Sequence, residues 1–314
     1  KAPDAPFLNS QYDGSFIAGM AQLRYMYAMP VERIVKFFND NGFDMDKGTA
    51  HGLLRKTERL FENLYHVLGD AIKEDTYIAG DETYHRVLVD TKNKNGKGIK
   101  KAYVWVVTAV NTGLVYYFYH DGSRREDIIL DYIKGYRGAF QSDGFSPYRK
   151  MAKWLLRLAC FQHVKRKFLD CGDDFDTKVI VRLANYIYHQ DHKHIIGVDG
   201  WTERDHYKWR QQYALPVMRI IRKKLERMAA DKSLLPKTEK YDAVHYMLNE
   251  WDGLMNIFTR GDYHLDNNLV ERLNRYISLS RRNSLFFGSH TGARRAAMFY
   301  SLACSCRLQG VNFF

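Results

Sequence analysis

Three carboxylates in the sequence, Asp81, Asp143 and Glu271, have the residue types and settings that metal-dependent chemistry requires. Asp81 lies in the β-forming segment IAGDETY, and Asp143 lies at the end of a predicted strand, within FQSDGF. Glu271 lies in the polar, helix-forming segment DNNLVERLNR. Carboxylate oxygens are hard ligands that bind Mg²⁺ or Mn²⁺ in preference to zinc. Two such ions catalyse phosphoryl transfer, because one activates the attacking hydroxyl and the other stabilises the leaving oxygen. A lone acidic residue is usually solvated or salt-bridged, so the prediction depends on a fold that brings the three together.

Polar neighbours of two of these carboxylates are weaker candidates. On the predicted helix, Asn268 lies three residues before Glu271 and Arg275 lies four after it, so the three share a face. The asparagine would orient a carboxylate and the arginine would bind phosphate, although a solvated outer face explains the same pattern. Glu82 follows Asp81 and points to the opposite side of a strand, which leaves it a supporting role at most.

The charge balance favours a polyanionic partner. Lys and Arg total 48 against 36 Asp and Glu, which gives a net charge of +12. Nucleic acid is the leading partner, anionic membrane is the second, and a basic but merely solvated surface is the alternative. Basic residues cluster between Lys92 and Lys101 and between Arg272 and Arg307, which favours a phosphate-binding surface. The predicted DNA-contacting residues are Lys94, Lys97, Lys100, Lys165, Arg166, Arg272, Arg275, Arg281, Arg282, Asn268 and His163.

The cysteines predict a reducing compartment. Four are too few and too unevenly spaced for a disulfide framework, which favours the cytoplasm. Zinc is not predicted, because the C-x-x-H at Cys160–His163 is half of a ligand set and the C-x-C at Cys304–Cys306 lies in an apolar helix. The run HQDHKH at His189–His194 is rich in potential ligands, but a solvated loop explains it equally well.

The sequence does not predict a membrane or secreted protein. It has no uninterrupted apolar run long enough to span a bilayer, and its first residues lack the basic-then-apolar order of a secretory signal. Because the sequence begins with Lys1 rather than Met, we expect that an N-terminal segment is missing from it.

The N-terminal region, residues 1–73, is predicted to be helical. Apolar residues recur at helical spacing from Ser15 to about Tyr65, and Pro30 separates one helix from the next. The segments VERIVKFFND and DKGTAHGLLRKTERLF, joined by the turn NGFDM, indicate either a DNA-binding helix-turn-helix or an ordinary helical hairpin.

Residues 74–176 have the pattern of an α/β core. The segments YIAGDETYHRVLVD, AYVWVVTAV and LVYYFYH predict three consecutive antiparallel strands. A helix, a fourth strand AFQSDGF, the helix SPYRKMAKWLLRL and a fifth strand ACFQHV follow, with His163 near the end of the last strand. This order is that of the ribonuclease H-like fold with a mixed central sheet, in which the strands of Asp81 and Asp143 are neighbours.

The remainder is predicted to be helical. Residues 177–260 form a helical insertion before Glu271, in which Pro216 marks a kink or a helix start. Residues 261–314 form two helices that complete the catalytic core, separated by the loop RRNSLFFGSH. In that loop Phe286 and Phe287 either stack on a base or are buried, and burial is the more frequent outcome for such a pair.

The C-terminal stretch resembles a family signature. DNNLVERLNRYISLSRRNSLFFGSH is similar to the insertion-sequence-66 family of DDE transposases, which pairs an NN-x-x-E-R-x-x-R helix with a downstream R-x-N-x-L-F-x-G-S loop. The family's D-E-T strand is matched at 81–83, its D-G-x-x-x-Y segment at 143–148 and its C-x-x-H-x-x-R-K-F segment at 160–168. The N-terminal segment A-x-L-R-Y-x-Y-x-M-P-V-E-R is similar as well, so the resemblance covers nearly the whole chain.

The resemblance implies a function and its residues. Asp81, Asp143 and Glu271 would be the DDE triad and would hold two Mg²⁺ ions, for which Mn²⁺ can substitute. The substrates would be double-stranded DNA with transposon terminal inverted repeats and target DNA. The chain would act as a homodimer in a synaptic complex in the bacterial cytoplasm, at the nucleoid, and small accessory proteins would assist it. Family members often carry a further N-terminal DNA-binding or zinc-binding portion and some additional C-terminal sequence.

Two other functions remain as alternatives. A nuclease or junction resolvase of the same fold would cut DNA without joining it. A non-catalytic DNA-binding protein derived from a transposase would bind without cutting, although the intact Asp81, Asp143 and Glu271 argue against it.

Overall fold

The computed structural model describes residues 6–7, 10–90, 96–172 and 174–314. For Lys97 it describes the backbone only. The chain divides into two compact units. Unit 1 comprises residues 1–138 and 268–314, and unit 2 comprises residues 139–267. Lys94, a predicted DNA contact, lies outside the described residues.

Unit 1 begins with three helices, α1 (Gly14–Tyr25), α2 (Val31–Asp40) and α3 (Lys47–Ala71), as the apolar spacing predicts. Aspartates cap two of them: a side-chain oxygen of Asp13 accepts the amide of Phe16 at 2.7 Å, and one of Asp46 accepts the amide of Thr49 at 2.9 Å. Between α2 and α3 the chain turns at Gly42, whose φ of 79° is readily adopted only by glycine. A short 3₁₀ turn, Ile72–Glu74, leads into the sheet.

An antiparallel meander forms the sheet of unit 1. Its strands are β1 (Tyr77–Asp90), β2 (Lys97–Ala109) and β3 (Val115–Phe118), and β2 pairs with both of the others. The register places Asp81 opposite Val106. The three predicted strands are confirmed: β1 has the bounds of its predicted segment, and β2 begins at Lys97, before the predicted segment that starts at Ala102. Helix α4 (Glu126–Ile133) follows.

Unit 2 contains two short parallel strands and most of the remaining helices. Strands β4 (Ala139–Ser142) and β5 (Leu156–Ala159) pair in parallel. The helices are α5 (Ser146–Met151), α6 (Phe161–Leu169), α7 (Phe175–Asp191), α8 (Glu203–Tyr213), α9 (Leu215–Ala230), α10 (Glu239–Asn249) and α11 (Trp251–Asn256), followed by a 3₁₀ turn at Ile257–Thr259. Parallel and antiparallel strand pairs therefore both occur, as a mixed α/β chain requires.

The predicted fifth strand is wrong. The strand is LRLA at Leu156–Ala159, which sequence analysis placed in a helix, whereas the segment after Cys160 begins α6. His163 therefore lies in the first turn of a helix and not at the end of a strand. Short apolar runs fit a buried strand and a buried helix equally well, and only packing distinguishes the two.

Pro216 marks a helix start, which was one of its two predicted roles. It occupies the first turn of α9, where a proline needs no amide hydrogen. In the described part of the chain, no helix is both long enough and apolar enough to cross a membrane.

The last two helices of the chain return to unit 1. Helix α12 (Asn268–Asn283) packs against β1, and α13 (His290–Leu308) packs against β3. The hydroxyl of Ser301 accepts the backbone amide of Tyr117 at 2.7 Å, and that of Ser305 accepts the amide of Val115 at 2.9 Å. Two serines one turn apart on α13 therefore bind amides of the short strand β3 that would otherwise be buried without partners.

We predict that Ser301→Ala and Ser305→Ala each lower the free energy of unfolding by about 1–3 kcal/mol, because each leaves a buried amide of β3 without an acceptor. Urea unfolding followed by circular dichroism measures the change. Ser278→Ala is the matched control, since that hydroxyl only donates back to the carbonyl of Arg275 on an exposed helical turn. Equal stability of all three variants would show that β3 does not depend on these serines.

Candidate active site

Asp81 lies in the middle of β1, with its carboxylate half-buried. Its Oδ2 atom accepts a hydrogen bond from Nδ2 of Asn274 at 2.7 Å, and its Oδ1 atom accepts the backbone amide of Glu82 at 2.8 Å. Two donors hold the carboxylate in one orientation, which is what a metal-binding carboxylate needs.

Asn274 is the residue that sequence analysis missed. It lies three residues after Glu271 on α12, one helical turn further on the same face, and its side chain is buried. The signal was present in the sequence, because the same spacing rule that selected Asn268 also selects Asn274. The predicted helix of Glu271 is confirmed as α12, and its packing on β1 brings two of the three predicted carboxylates, Asp81 and Glu271, into the same unit.

Glu82 has a role in unit 1 that is separate from metal binding. Its Oε1 atom accepts a hydrogen bond from Nε of Arg124 at 2.9 Å, and the glutamate side chain is almost fully buried. Arg124 in turn lies over the ring of Tyr103, with 5.2 Å between its guanidinium carbon and the ring centroid. Glu82 on β1 is therefore joined by an ion pair to Arg124, which precedes α4.

Asp143 follows the last residue of β4 directly, in unit 2. Its Oδ1 atom accepts the amide of Phe145 at 2.9 Å, which closes a tight turn of the aspartate on its own backbone. The side chain is half-buried. The predicted position at the end of the fourth strand agrees with this placement.

The C-terminal basic cluster divides into two groups. Arg294 is paired with Asp121 at 2.7 Å and Arg295 with Glu58 at 2.6 Å, so carboxylates compensate these two charges. Within the described chain, the other predicted arginines of unit 1 form no such ion pair. They are Arg272, Arg275, Arg281 and Arg282.

Arg281 and Lys101 flank an exposed tyrosine on β1. The guanidinium carbon of Arg281 lies 4.1 Å from the ring centroid of Tyr84, and Nζ of Lys101 lies 4.6 Å from the same centroid. Cation–π contacts with one ring limit the rotamers of both long side chains. Two cations without a carboxylate partner in the described chain are thereby held at a fixed place on the surface.

The loop RRNSLFFGSH is anchored to the rest of unit 1. The amide of Phe287 donates to the carbonyl of Arg86 at 2.8 Å, and its ring stacks on His85 with 4.1 Å between centroids. At the other end, Nδ2 of Asn283 donates to the carbonyl of Ala28 at 3.0 Å. Phe287 is buried and Phe286 is exposed, so the predicted burial of the pair holds for one ring only.

The other predicted DNA contacts are distributed over both units. Lys100 is exposed on β2 of unit 1, and the half-buried Asn268 is the first residue of α12. In unit 2, Arg166 is exposed on α6, and Nζ of Lys165 lies 4.7 Å from the ring centroid of Tyr188. His163 is half-buried on the same helix.

The cysteines and the histidine-rich run have structural contacts. Cys160 accepts the amide of Asn267 at 3.3 Å, and Cys304 is buried 3.7 Å from the hydroxyl of Tyr117. His192 bonds to the carbonyl of Tyr188, and His194 stacks on Trp201 with 3.9 Å between centroids. Among the residues that the structure describes, the run from 189 to 194 forms no group of three converging metal ligands.

Comparison with known sequences gives the class of protein. Residues 9–295 match the family described as "Transposase IS66 family". The chain therefore belongs to the IS66 family of transposases.

Individual relatives are more distant. Uncharacterized protein y4jD of Sinorhizobium fredii is 26% identical over 309 residues, which is 92% of this chain and 58% of the relative. Uncharacterized protein y4qI of the same organism is 24% identical over 316 residues, or 94% of this chain and 56% of the relative. The chain thus spans a little over half the length of these relatives. A solved structure, the Drosophila P element transposase strand transfer complex, is similar over 94% of this chain and 93% of its own, with 11% identity and a TM-score of 0.48.

We predict an acid-sensitive step in stability from His85. Burial, and to a lesser extent the charges of Arg281 and Arg24, lower the pKa of this imidazole to about 4, although a contact with the carbonyl of Arg86 opposes the shift. Because the folded pKa lies below the unfolded one, the unfolded chain binds a proton first as the pH falls. The stabilisation is fully present above pH 6.5 and is lost between pH 6.5 and 4, by about 3 kcal/mol.

Urea unfolding of wild type and His85→Phe at pH 7 and pH 4 measures this step. The variant keeps a ring to stack on Phe287 but cannot titrate, so its stability should fall less between the two pH values. His66→Phe, at an exposed position on α3, is the control and should retain the wild-type pH dependence. An unchanged acid loss in His85→Phe would assign that loss to other groups.

Proposed function

We propose that this chain is a DDE transposase that cleaves DNA at transposon ends and joins the ends to target DNA by metal-dependent phosphoryl transfer. The observation that carries the proposal is the hydrogen bond between Asn274 and Asp81, which seats the helix of Glu271 against the strand of Asp81. Membership of the IS66 transposase family supports the same activity.

The residues of unit 1 fit a divalent cation. The candidate metal-ligand atoms are carboxylate oxygens, which Mg²⁺ and Mn²⁺ prefer. In addition, Oδ1 of Asn274 is buried and has no hydrogen-bond donor among the described residues, and a hydrated cation at Asp81 would supply one. We propose that Asp81, Asp143 and Glu271 hold two Mg²⁺ ions, for which Mn²⁺ can substitute. When bound, these ions activate the attacking oxygen and stabilise the leaving oxygen.

The protein's own contribution is placement. Asn274 and the Glu82 amide hold the Asp81 carboxylate in one orientation, while the turn at Phe145 does the same for Asp143. Asp143 enters the proposal through the family motif D-G-x-x-x-Y that begins at this residue. In cleavage, water forms a new bond to the phosphorus and the bond to the 3′-oxygen breaks. In joining, the freed 3′-hydroxyl attacks a phosphorus of the target, whose own 3′-oxygen leaves.

The uncompensated basic residues are proposed to bind the DNA backbone. Arg272, Arg275, Arg281 and Arg282 are free of ion pairs within the described chain, so their charges are available to phosphates. Lys165, Arg166, Lys94, Lys97, Lys100, Asn268 and His163 remain proposed contacts on sequence grounds. Phosphate contacts position DNA and carry no base sequence, so terminal-repeat recognition requires further residues.

Two ends must be cut and inserted together, so we propose that the chain works as a homodimer in a synaptic complex. Small accessory proteins are proposed partners, as the family resemblance implies. Because the proposed substrate is chromosomal DNA, we propose that cleavage and joining take place at the bacterial nucleoid.

We predict that Asp81→Asn, Asp143→Asn and Glu271→Gln each reduce Mg²⁺-dependent cleavage and joining by about 100-fold or more, because each replaces a charged ligand by a neutral one of the same shape. The assay uses a labelled duplex that carries the element's own terminal repeat, with wild type beside each variant. Joining of the 3′-hydroxyl to a plasmid distinguishes a transposase from a nuclease of the same fold.

Asp127→Asn is the matched control, since Asp127 is an exposed carboxylate that pairs with Arg125 on α4. It should cleave and join like wild type. All variants should bind the duplex with nearly unchanged affinity. Wild-type cleavage by Asp143→Asn would remove this residue from the catalytic site. Duplex binding by wild type without any Mg²⁺-dependent cleavage would leave a DNA-binding relative of transposases as the better description.

We also predict that Arg281→Gln and Lys101→Gln each weaken duplex binding at low salt and reduce the slope of log Kd against log salt by about one, because each removes one released counterion. Fluorescence anisotropy between 50 and 300 mM KCl, in the approximate range where such slopes are resolved, measures the change. Arg294→Gln is the control, because Asp121 already compensates that charge. Slopes that do not differ from wild type would exclude this surface from the DNA contact.

A further inference from the structure

The turn at Asp143 and Gly144 is held by more partners than a surface turn requires. The carbonyl of Asp143 accepts a hydrogen bond from Nη2 of Arg157 at 2.8 Å. The amide of Gly144 donates to the hydroxyl of Tyr246 at 3.1 Å, and its carbonyl accepts from both Nε and Nη2 of Arg149, at 3.1 and 2.8 Å. Three side chains therefore fix the backbone on which the Asp143 carboxylate is mounted.

A buried glutamate connects two of these side chains. Oε2 of Glu250 lies 2.5 Å from Nη2 of Arg157, and its Oε1 lies 3.1 Å from Nε of Arg149. The side chains of Glu250 and Arg157 are 1% and 5% exposed. A buried ion pair is weak evidence for stability, because removing both charges from water costs about as much as their attraction returns. Both arginines that Glu250 pairs with donate to backbone carbonyls of the Asp143 turn, so the glutamate restrains the side chains that hold this turn.

The fit at Gly144 is close. A Cβ at this position would lie 2.4 Å from the hydroxyl of Tyr246 and 2.7 Å from its ring, so only glycine allows the contact. Burial, followed by the charges of Glu250 and Asp143, raises the pKa of the Tyr246 hydroxyl. The hydroxyl therefore stays neutral and accepts the amide without adding a charge.

The segment from Tyr246 to Asn256 also contacts β5. Nδ2 of Asn256 donates to the carbonyl of Arg157 at 2.9 Å, and a Cβ on Gly253 would meet that of Ala159 at 3.0 Å. Helix α11 thus packs closely against the strand that carries Arg157. Residues 246–256 lie within the range that the sequence predicted as a helical insertion, yet they contact the backbone of a proposed catalytic residue.

We propose that Glu250, Arg157 and Tyr246 are positioning residues for Asp143, so that the end of the helical insertion sets the geometry of one metal-binding carboxylate. The proposal rests on the function proposed above for Asp143. The three residues touch neither substrate nor metal. They act by fixing the carbonyl and the amide of the peptide that links Asp143 to Gly144, as outer partners of metal ligands do elsewhere.

The test compares Glu250→Gln and Tyr246→Phe with wild type for Mn²⁺ binding and for metal-dependent cleavage. Binding of Mn²⁺ alone to DNA-free protein is measured by electron paramagnetic resonance, and cleavage is measured against Mn²⁺ concentration. We expect both variants to need about 10- to 100-fold more Mn²⁺ in both measurements, with unchanged affinity for duplex DNA. Tyr246→Phe removes only one hydroxyl, so it reports on positioning even if Glu250→Gln fails to fold.

Asp191→Asn is the matched control. Asp191 forms a largely buried ion pair with Arg210 at 2.6 Å in the same unit, away from the Asp143 turn in the sequence and in its contacts. Its loss should lower the melting temperature and leave the Mn²⁺ dependence at the wild-type value. A shift of equal size in this control would show that general loosening of unit 2 accounts for the effect.

The remaining outcomes separate the two proposals. If Asp143→Asn abolishes cleavage while folded Tyr246→Phe has the wild-type Mn²⁺ dependence, the positioning proposal is wrong and the proposed function stands. If Asp143→Asn itself binds Mn²⁺ and cleaves like wild type, the proposed function fails at this residue and the positioning proposal fails with it.

Discussion

The return of the last two helices to the three-stranded sheet is the interaction on which unit 1 depends. Strand β3 is short, and α13 satisfies its outward amides through Ser301 and Ser305. The hydroxyl of Tyr117, fully buried on the same strand, donates to the carbonyl of Leu273 at 2.7 Å and so ties α12 to the sheet as well. Because α12 is held in this way, Asn274, which follows Leu273, lies within hydrogen-bond distance of Asp81. The packing that completes the fold and the contact that orients a carboxylate are therefore parts of one arrangement.

Carboxylates withdrawn from water need donors or cations, and the chain supplies them in two ways. Asp81 and Asp143 accept hydrogen bonds from neutral amides, which orient them without neutralising their charge. Glu250 and Asp191, by contrast, are paired with arginines. An amide donor carries no charge of its own, whereas an arginine compensates the charge of the carboxylate with which it pairs.

The basic residues show the same division with opposite sign. Arg294 and Arg295 are compensated by carboxylates, whereas Arg281 and Lys101 are held by the ring of Tyr84. An aromatic ring restrains a cation without cancelling its charge, so the cation stays available to phosphate. The net charge of +12 therefore does not describe the local potential. The potential is reduced where carboxylates compensate arginines, and positive charge is held at a fixed place where a ring restrains Arg281 and Lys101.

The amino-acid sequence predicts the elements with strong local patterns, namely the N-terminal helices, the meander of unit 1 and helix α12, because apolar periodicity and β-branched composition are local properties. It also determined which carboxylates to consider and, through its motifs, the family. The other features come from tertiary packing. This packing placed strand β5 at Leu156–Ala159 instead of after Cys160, and it made Asn274 the partner of Asp81 across 193 residues. It also paired Glu250 with Arg157, whose guanidinium donates to the carbonyl of Asp143. Each of these depends on contacts between residues far apart in the chain, and a short apolar run or a single polar side chain carries no local signal of the partner it will meet.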